Sequence, residues 1–172
     1  VGSEMCIRDS RNNGGGNLTT AEKLAERFTN EKKLIGYMSY KTGPGHNEFS
    51  TPEAVYLEPP MDRVRWQKHT VVLTNRRSYS ATNDFVNRMK QLDRVTVIGD
   101  KTGGGSGLPF SSELPNGWSV RFSASPMYDP DMKHLEFGIE PDKKVDITSE
   151  DYNKGIDTII EAAREYLHNH KQ

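Results

Sequence analysis

The sequence predicts an α/β fold: a largely parallel sheet with flanking helices, a β-hairpin beside it and a packing helix at the C-terminus. Three observations carry this. Apolar β-prone runs at 71–73 and 95–98 enclose a segment in which Ala81, Phe85, Met89 and Leu92 share one helical face. Strand, helix, strand is the order a parallel crossover needs. Two further β-prone stretches, 108–114 and 118–124, are joined by Pro115-Asn116-Gly117, and Asn-Gly suits a hairpin turn that needs positive φ. Finally, Tyr152, Ile156, Ile159, Ile160, Ala163 and Leu167 fall on one face of a helix expected from Thr148 or Ser149 to about His168.

Composition narrows the function. The 172 residues make one domain or a large part of one. With 23 basic and 24 acidic residues the net charge is -1, which points to neither nucleic acid nor an anionic membrane surface as partner. Mean hydropathy is -0.79 and no apolar run is long enough for a membrane span. Cys6 is the only cysteine, so neither an internal disulfide nor a cysteine-based metal site can form. Residues 1–10 lack the basic start and apolar core of a signal peptide. They resemble the translated adapter read-through that heads many metagenomic reading frames and are set apart as a non-native leader, Cys6 with them.

In chain order, Arg-Asn-Asn-Gly-Gly-Gly at 11–16 lets backbone approach a ligand closely or serves as a flexible loop. Thr19 or Thr20 is placed to cap a short helix with Leu24, Ala25 and Phe28. A glycine run leading into a helix favours anions, so it could hold an oxyanion donor. Residues 34–41 read as a strand, and 42–60 as a surface excursion with a short strand near 54–57. His46 lacks partners at ligand spacing, so no metal site is expected there. Ser80 stands where the strand at 71–73 hands over to the helix at Ala81. Two readings are open there: an N-cap, serine's commonest use at a helix start, or a nucleophile whose oxyanion meets unpaired N–H groups. The strand at 94–98 empties into Gly99-Asp-Lys-Thr-Gly-Gly-Gly-Ser-Gly107. No Lys-Ser or Lys-Thr follows those glycines, which argues against a phosphate loop, but α/β sheets place sites at the carboxyl ends of parallel strands. Glu136 reads from its surroundings as a solvated strand residue.

Four stretches resemble one family in the right order: Arg-Asn-Asn-Gly-Gly-Gly, Val-Leu-Thr-Asn-Arg-Arg-Ser-Tyr-Ser-Ala-Thr-Asn-Asp-Phe, Arg94-Val-Thr-Val-Ile-Gly-Asp-Lys-Thr-Gly-Gly-Gly and Phe137-Gly-Ile-Glu-Pro-Asp142. The family is the C-terminal processing (tail-specific) serine peptidases, with the tricorn core and the interphotoreceptor retinoid-binding modules as relatives. The resemblance implies a ClpP/crotonase-like core and no cofactor. It makes Ser80 the nucleophile, with Ser78 as runner-up, and builds the oxyanion hole from Ala81 and Gly15. It also sets Gly104 and Gly105 against a polypeptide substrate. Many members carry a catalytic lysine where this chain has Gly105; Lys101 lies before the glycines, and Asn83 replaces an acidic residue. The Thr-Gly-Gly-Gly loop is more similar to the tricorn branch, which uses serine, histidine and glutamate, and Glu136 is the matching carboxylate. The histidine of that branch precedes the glycine motif; His69 and His134 are the internal substitutes. On this resemblance residues 11–172 are the C-terminal part of a catalytic core, its upstream part and any PDZ-like module missing, from a cell-envelope peptidase. A non-catalytic binding module on the same fold is the alternative, and a nucleotide-binding α/β protein the third.

Overall fold

The computed structural model describes residues 6–61 and 65–170. In chain order these form β1 (Cys6–Asp9), α1 (Leu18–Ala25), β2 (Lys33–Met38), β3 (Glu53–Leu57), β4 (Thr70–Thr74), α2 (Ala81–Lys90), β5 (Val95–Gly99), β6 (Phe110–Glu113), β7 (Ser119–Phe122), β8 (Met127–Tyr128), β9 (Lys143–Lys144), α3 (Ser149–Asn153) and α4 (Thr158–Asn169). Short 3₁₀ turns occupy Glu26–Phe28 and Leu135–Phe137. Among these residues no helix is long and apolar enough to cross a membrane.

The central sheet has the order β1-β4-β5-β9 and every pairing in it is parallel. β4 is its axis, with all five residues buried. Successive side chains of a strand face opposite ways, so β4 feeds two cores. Val72 packs with Phe85, Val86 and Met89 of α2 and with Val97 of β5. Val71 and Leu73 pack with Ile98 and with Ile159, Ala163 and Leu167 of α4. A parallel sheet covered on both faces reads as continuous apolar runs, and each such side chain contributes about 1.5–3 kcal/mol by leaving water. The layers place the loops after β4 and β5 side by side at one end of the sheet. Strands β3-β2-β8 form an antiparallel sheet, and β6-β7 is a separate ribbon.

Four local expectations need correcting. The segment set apart as a leader is not outside the fold: Cys6–Asp9 pairs with β4 from Thr70 to Leu73. Asn17, not Thr19 or Thr20, caps α1, accepting from the Thr20 N–H at 3.0 Å. The C-terminal helix is two helices. Gly155 turns the chain at φ 69° after α3, and Asp157 caps α4 by accepting from the N–H groups of Ile159 and Ile160. Tyr152 and Ile156 are therefore exposed while Ile159, Ala163 and Leu167 are buried. Glu136 sits on a 3₁₀ turn rather than a strand, its neighbour Leu135 filling the core instead.

A buried arginine ties the second helix to the first. Arg88 Nε donates to Asp84 Oδ2 at 2.6 Å, and Arg88 reaches Glu22 of α1 at 3.5 Å. Burial pushes the Asp84 carboxyl up, against the pull of Arg88. The cost of taking such a pair out of water offsets much of its attraction, so it adds little net stability. The contact with Glu22 joins the middle of α1 to the last turn of α2.

Candidate active site

Ser80 occupies the N-cap position of α2, and its C=O accepts from the Asp84 N–H at 3.1 Å, as a helix start requires. Its hydroxyl, however, makes no capping hydrogen bond, and its backbone stands at φ 59°, ψ -125°. A serine chosen only to cap would have extended φ/ψ and an oxygen on the N–H of the second or third helical residue. Positive φ on a residue with a β-carbon costs on the order of 1–3 kcal/mol and persists only where the surroundings enforce it. They do so here. The Ser80 N–H donates to Gly104 O at 2.8 Å and Gly103 N–H to Ser78 O at 2.9 Å. Ser78 is fully buried and staples the turn, donating to Ser10 O at 2.9 Å while accepting from the Asn75 N–H at 3.1 Å. Ser78 therefore shapes the bend that Ser80 crowns.

The glycine motif meets this bend directly. A β-carbon at Gly15 would lie 2.5 Å from Tyr79 O and 2.8 Å from both Ala81 N and Ser80 Cβ, at a φ of 93°. Only glycine lets the loop come so close. Ala81 is the first residue of the helix, so its N–H has no intrahelical acceptor. Beside it the Gly15 N–H donates to Asn13 Oδ1 at 3.0 Å, so it serves an oxyanion only when Asn13 releases it. The helix end adds a partial positive charge at the same place.

The loop after β5 lies on the other flank. A single peptide unit, Gly104–Gly105, bridges the backbones of Ser80 and Glu136. Its C=O takes the Ser80 N–H, and its N–H donates to Glu136 O at 3.1 Å. Both glycines have positive φ, and a β-carbon at Gly105 would enter the Tyr79 ring. Gly103 and Gly105 give their N–H groups to Ser78 and Glu136, so those two amides are already engaged within the fold, which argues against a phosphate loop.

Ser80, the glycines 14–16, Gly105 and Glu136 all line one cleft of about 490 Å³. Glu136 Oε2 is buried there without a hydrogen-bond partner among the described residues, a state that calls for an explanation in any folded protein. Beyond the Gly15–Ala81 contact a second cavity of about 380 Å³ opens, with Ala21, Leu24 and Phe85 among its walls.

The internal histidines lie elsewhere. His134 accepts the Glu136 N–H on Nδ1 at 3.1 Å and packs edge-on to Tyr128, so it caps the turn that carries Glu136 and does not line the Ser80 cleft. His69 precedes β4, the length of that strand away from Ser80 (roughly 16 Å at the usual rise per residue), and its ring lies near His170. Lys101 pairs with Glu140 at 3.1 Å. Sequence reading noted Asn83 only as the replacement of an acidic residue and did not foresee its contacts: it is fully buried and holds Thr102, Ser106 and Leu135. Its signal was a polar side chain three residues after Ser80, one turn before Asn87, which is buried as well and donates to Ile35 O at 2.7 Å.

The sequence profile of peptidase family S41 matches residues 2–145. The chain belongs to peptidase family S41. It is 26% identical over 146 residues to a Staphylococcus saprophyticus protein named CtpA-like serine protease, covering 84% of this chain and 28% of that protein. It is 60% identical to a Parabacteroides merdae ATCC 43184 protein of known crystal structure, with a TM-score of 0.90 over 95% of this chain and 52% of that one. Mature CPAF, in a structure with lactacystin, superimposes with a TM-score of 0.78 at 18% identity, over 98% of this chain and 43% of that one. The tricorn protease does so at 0.59 and 22%, over 98% and 15%, and these two show the shared fold. The chain thus spans about 28% of the length of the curated relatives it matches. The ClpP/tricorn-like S41 fold, with its parallel sheet and flanking helices, is the one the sequence predicted.

Proposed function

We propose that this S41 chain is the C-terminal part of the catalytic core of a serine endopeptidase that works through an acyl-enzyme. The observation that carries it is the convergence, on one cleft, of a strained serine whose hydroxyl caps nothing, a glycine loop and a half-buried carboxylate with one buried, unpartnered oxygen. In this reading Ser80 Oγ attacks the scissile carbonyl carbon and the negative charge moves onto the carbonyl oxygen. The Ala81 N–H, with an amide of the 14–16 loop, receives that charge, being fixed before it develops. The hydroxyl proton passes to a histidine from a segment outside this chain, as in the tricorn-like branch, and Glu136 Oε2 accepts that ring's second N–H and stabilises its protonated form. The histidine then protonates the leaving amine, and water releases the acyl group. The cavity beyond Ala81 receives an apolar side chain flanking the scissile bond. An envelope location accords with this family and stays part of the same proposal.

The test is labelling of the longer polypeptide with a serine-directed fluorophosphonate. Labelling is expected, and Ser80→Ala abolishes it; labelling that survives the substitution defeats the assignment. A second reading, a non-catalytic binding module, draws on one observation: among the described residues neither lysine nor histidine lines the Ser80 cleft. It is favoured if the longer polypeptide never labels.

A further inference from the structure

The reading above leaves Asn83 without a role, although it is the most completely engaged polar side chain near the cleft. Its relative exposure is 0%. Oδ1 accepts from Thr102 Oγ1 at 2.6 Å, and Nδ2 donates to Ser106 Oγ at 2.8 Å and to Leu135 O at 3.0 Å. Thr102 Oγ1 in turn accepts the Ile139 N–H at 2.7 Å. Asn83 stands three residues after Ser80 on α2. Thr102 and Ser106 bracket the glycine loop, and Leu135 and Ile139 bracket the turn that carries Glu136. One carboxamide thus holds both ends of the loop and the turn beyond it to the nucleophile's own helix. The Gly104–Gly105 peptide between them makes the shorter link from Ser80 N–H to Glu136 O.

We propose that Asn83 is a positioning residue that sets the separation between Ser80 and the Glu136 carboxylate; this rests on the peptidase reading of the cleft. An amide suits the task because it is donor and acceptor at once and carries no charge into a dry interior. A carboxylate there would present only acceptors, and would set an oxygen against Leu135 O where Nδ2 now donates. Glu136 works by stabilising the protonated base, so its displacement lowers the apparent pKa of that base.

The experiment uses the longer polypeptide, with a fluorophosphonate to count competent Ser80 and fluorescein-labelled casein for turnover across pH. Asn83→Ala is expected to lower kcat by about tenfold to a hundredfold with KM within about twofold, since misplacement on the order of 1 Å has that effect. The acid limb of the rate profile should move to lower pH. Thr102→Ser, which keeps both hydroxyl bonds, should restore wild-type behaviour where Thr102→Val does not. If Asn83→Ala does not fold, Ser106→Ala removes one bond of the three and should shift the limb in the same direction by less. A folded Asn83→Ala, or failing that Ser106→Ala, with unchanged kcat and an unmoved limb overturns the proposal, the role then being structural only. Absence of labelling in the unsubstituted protein overturns the peptidase reading instead.

Discussion

The Gly104–Gly105 peptide links the backbones of Ser80 and Glu136 and tolerates no side chain at Gly104, and Gly104→Ala tests its share in their spacing. Gly104 stands at φ 80°, and a β-carbon there would lie 1.9 Å from Glu136 O, 2.7 Å from Glu136 C and 2.9 Å from Gly138 N. All three are backbone atoms, so no rotamer relieves the clash. The chain must move by at least about 1 Å to reach ordinary contact, because close-packed interiors do not stretch. Two effects separate. The left-handed backbone costs about 1–2 kcal/mol for any residue with a β-carbon. Gly117, in the hairpin turn at φ 83° with nothing within 4 Å, carries that strain alone. Gly117→Ala should therefore lose about 1–2 kcal/mol in urea unfolding, with an unchanged fluorophosphonate labelling rate. Gly104→Ala should lose more stability and label about a hundredfold more slowly, the usual effect of a 1 Å error at a reacting centre. A Gly104→Ala protein that labels within about threefold of wild type would refute the idea that this peptide sets the site geometry.

Two other outcomes follow from the same coordinates. Because the Ser80 hydroxyl caps nothing and its φ is 59°, Ser80→Gly should be about 1 kcal/mol more stable than Ser80→Ala, releasing backbone strain at a smaller entropic cost. Thermal melts check this, and an alanine variant at least as stable would contradict it. Hydrogen bonding to Arg11 holds the Asp157 carboxyl below the usual carboxylate range, so its stabilisation is complete above the unfolded pKa near 3.8 and is lost as pH falls through the lower folded value. Asp157→Asn keeps the helix cap but not the ion pair at 2.8 Å. It should be less stable by under about 1 kcal/mol at neutral pH, the side chain being a third exposed, and the gap should close in acid; a gap that widens below pH 4 would contradict the assignment.

Much of the fold was legible because β4 and β5 are apolar on both faces and α2 keeps a helical stripe between them. The same periodicity merged α3 and α4, since Ile156 fits the stripe even though Gly155 and the Asp157 cap break it. Ser80 could be located by its place between strand and helix, whereas its backbone strain depends on Gly15 and Gly104, contacts that no local pattern encodes. The position of Glu136 was given by resemblance alone, as its 3₁₀ turn owes its shape to Asn83 and Thr102 from distant segments. Setting the first ten residues aside also hid a strand. Cys6 and Ile7 alone of β1 reach inward, too short a pattern to outweigh the character of the whole stretch.

The ribbon of β6 and β7 gives the molecule uneven durability. Every residue of β6 is exposed, as are Trp118 at the turn and Phe122, and a two-stranded ribbon alone is marginal in water. Its amides open by local fraying while those of β4 wait for the whole domain to unfold. A protease reaching the tip near Asn116 would cut the chain into pieces of roughly two-thirds and one-third. The larger would keep Ser80 and the smaller Glu136, still clasped through Asn83 and Leu135, so a nick there would separate the two in covalent terms while leaving both in register.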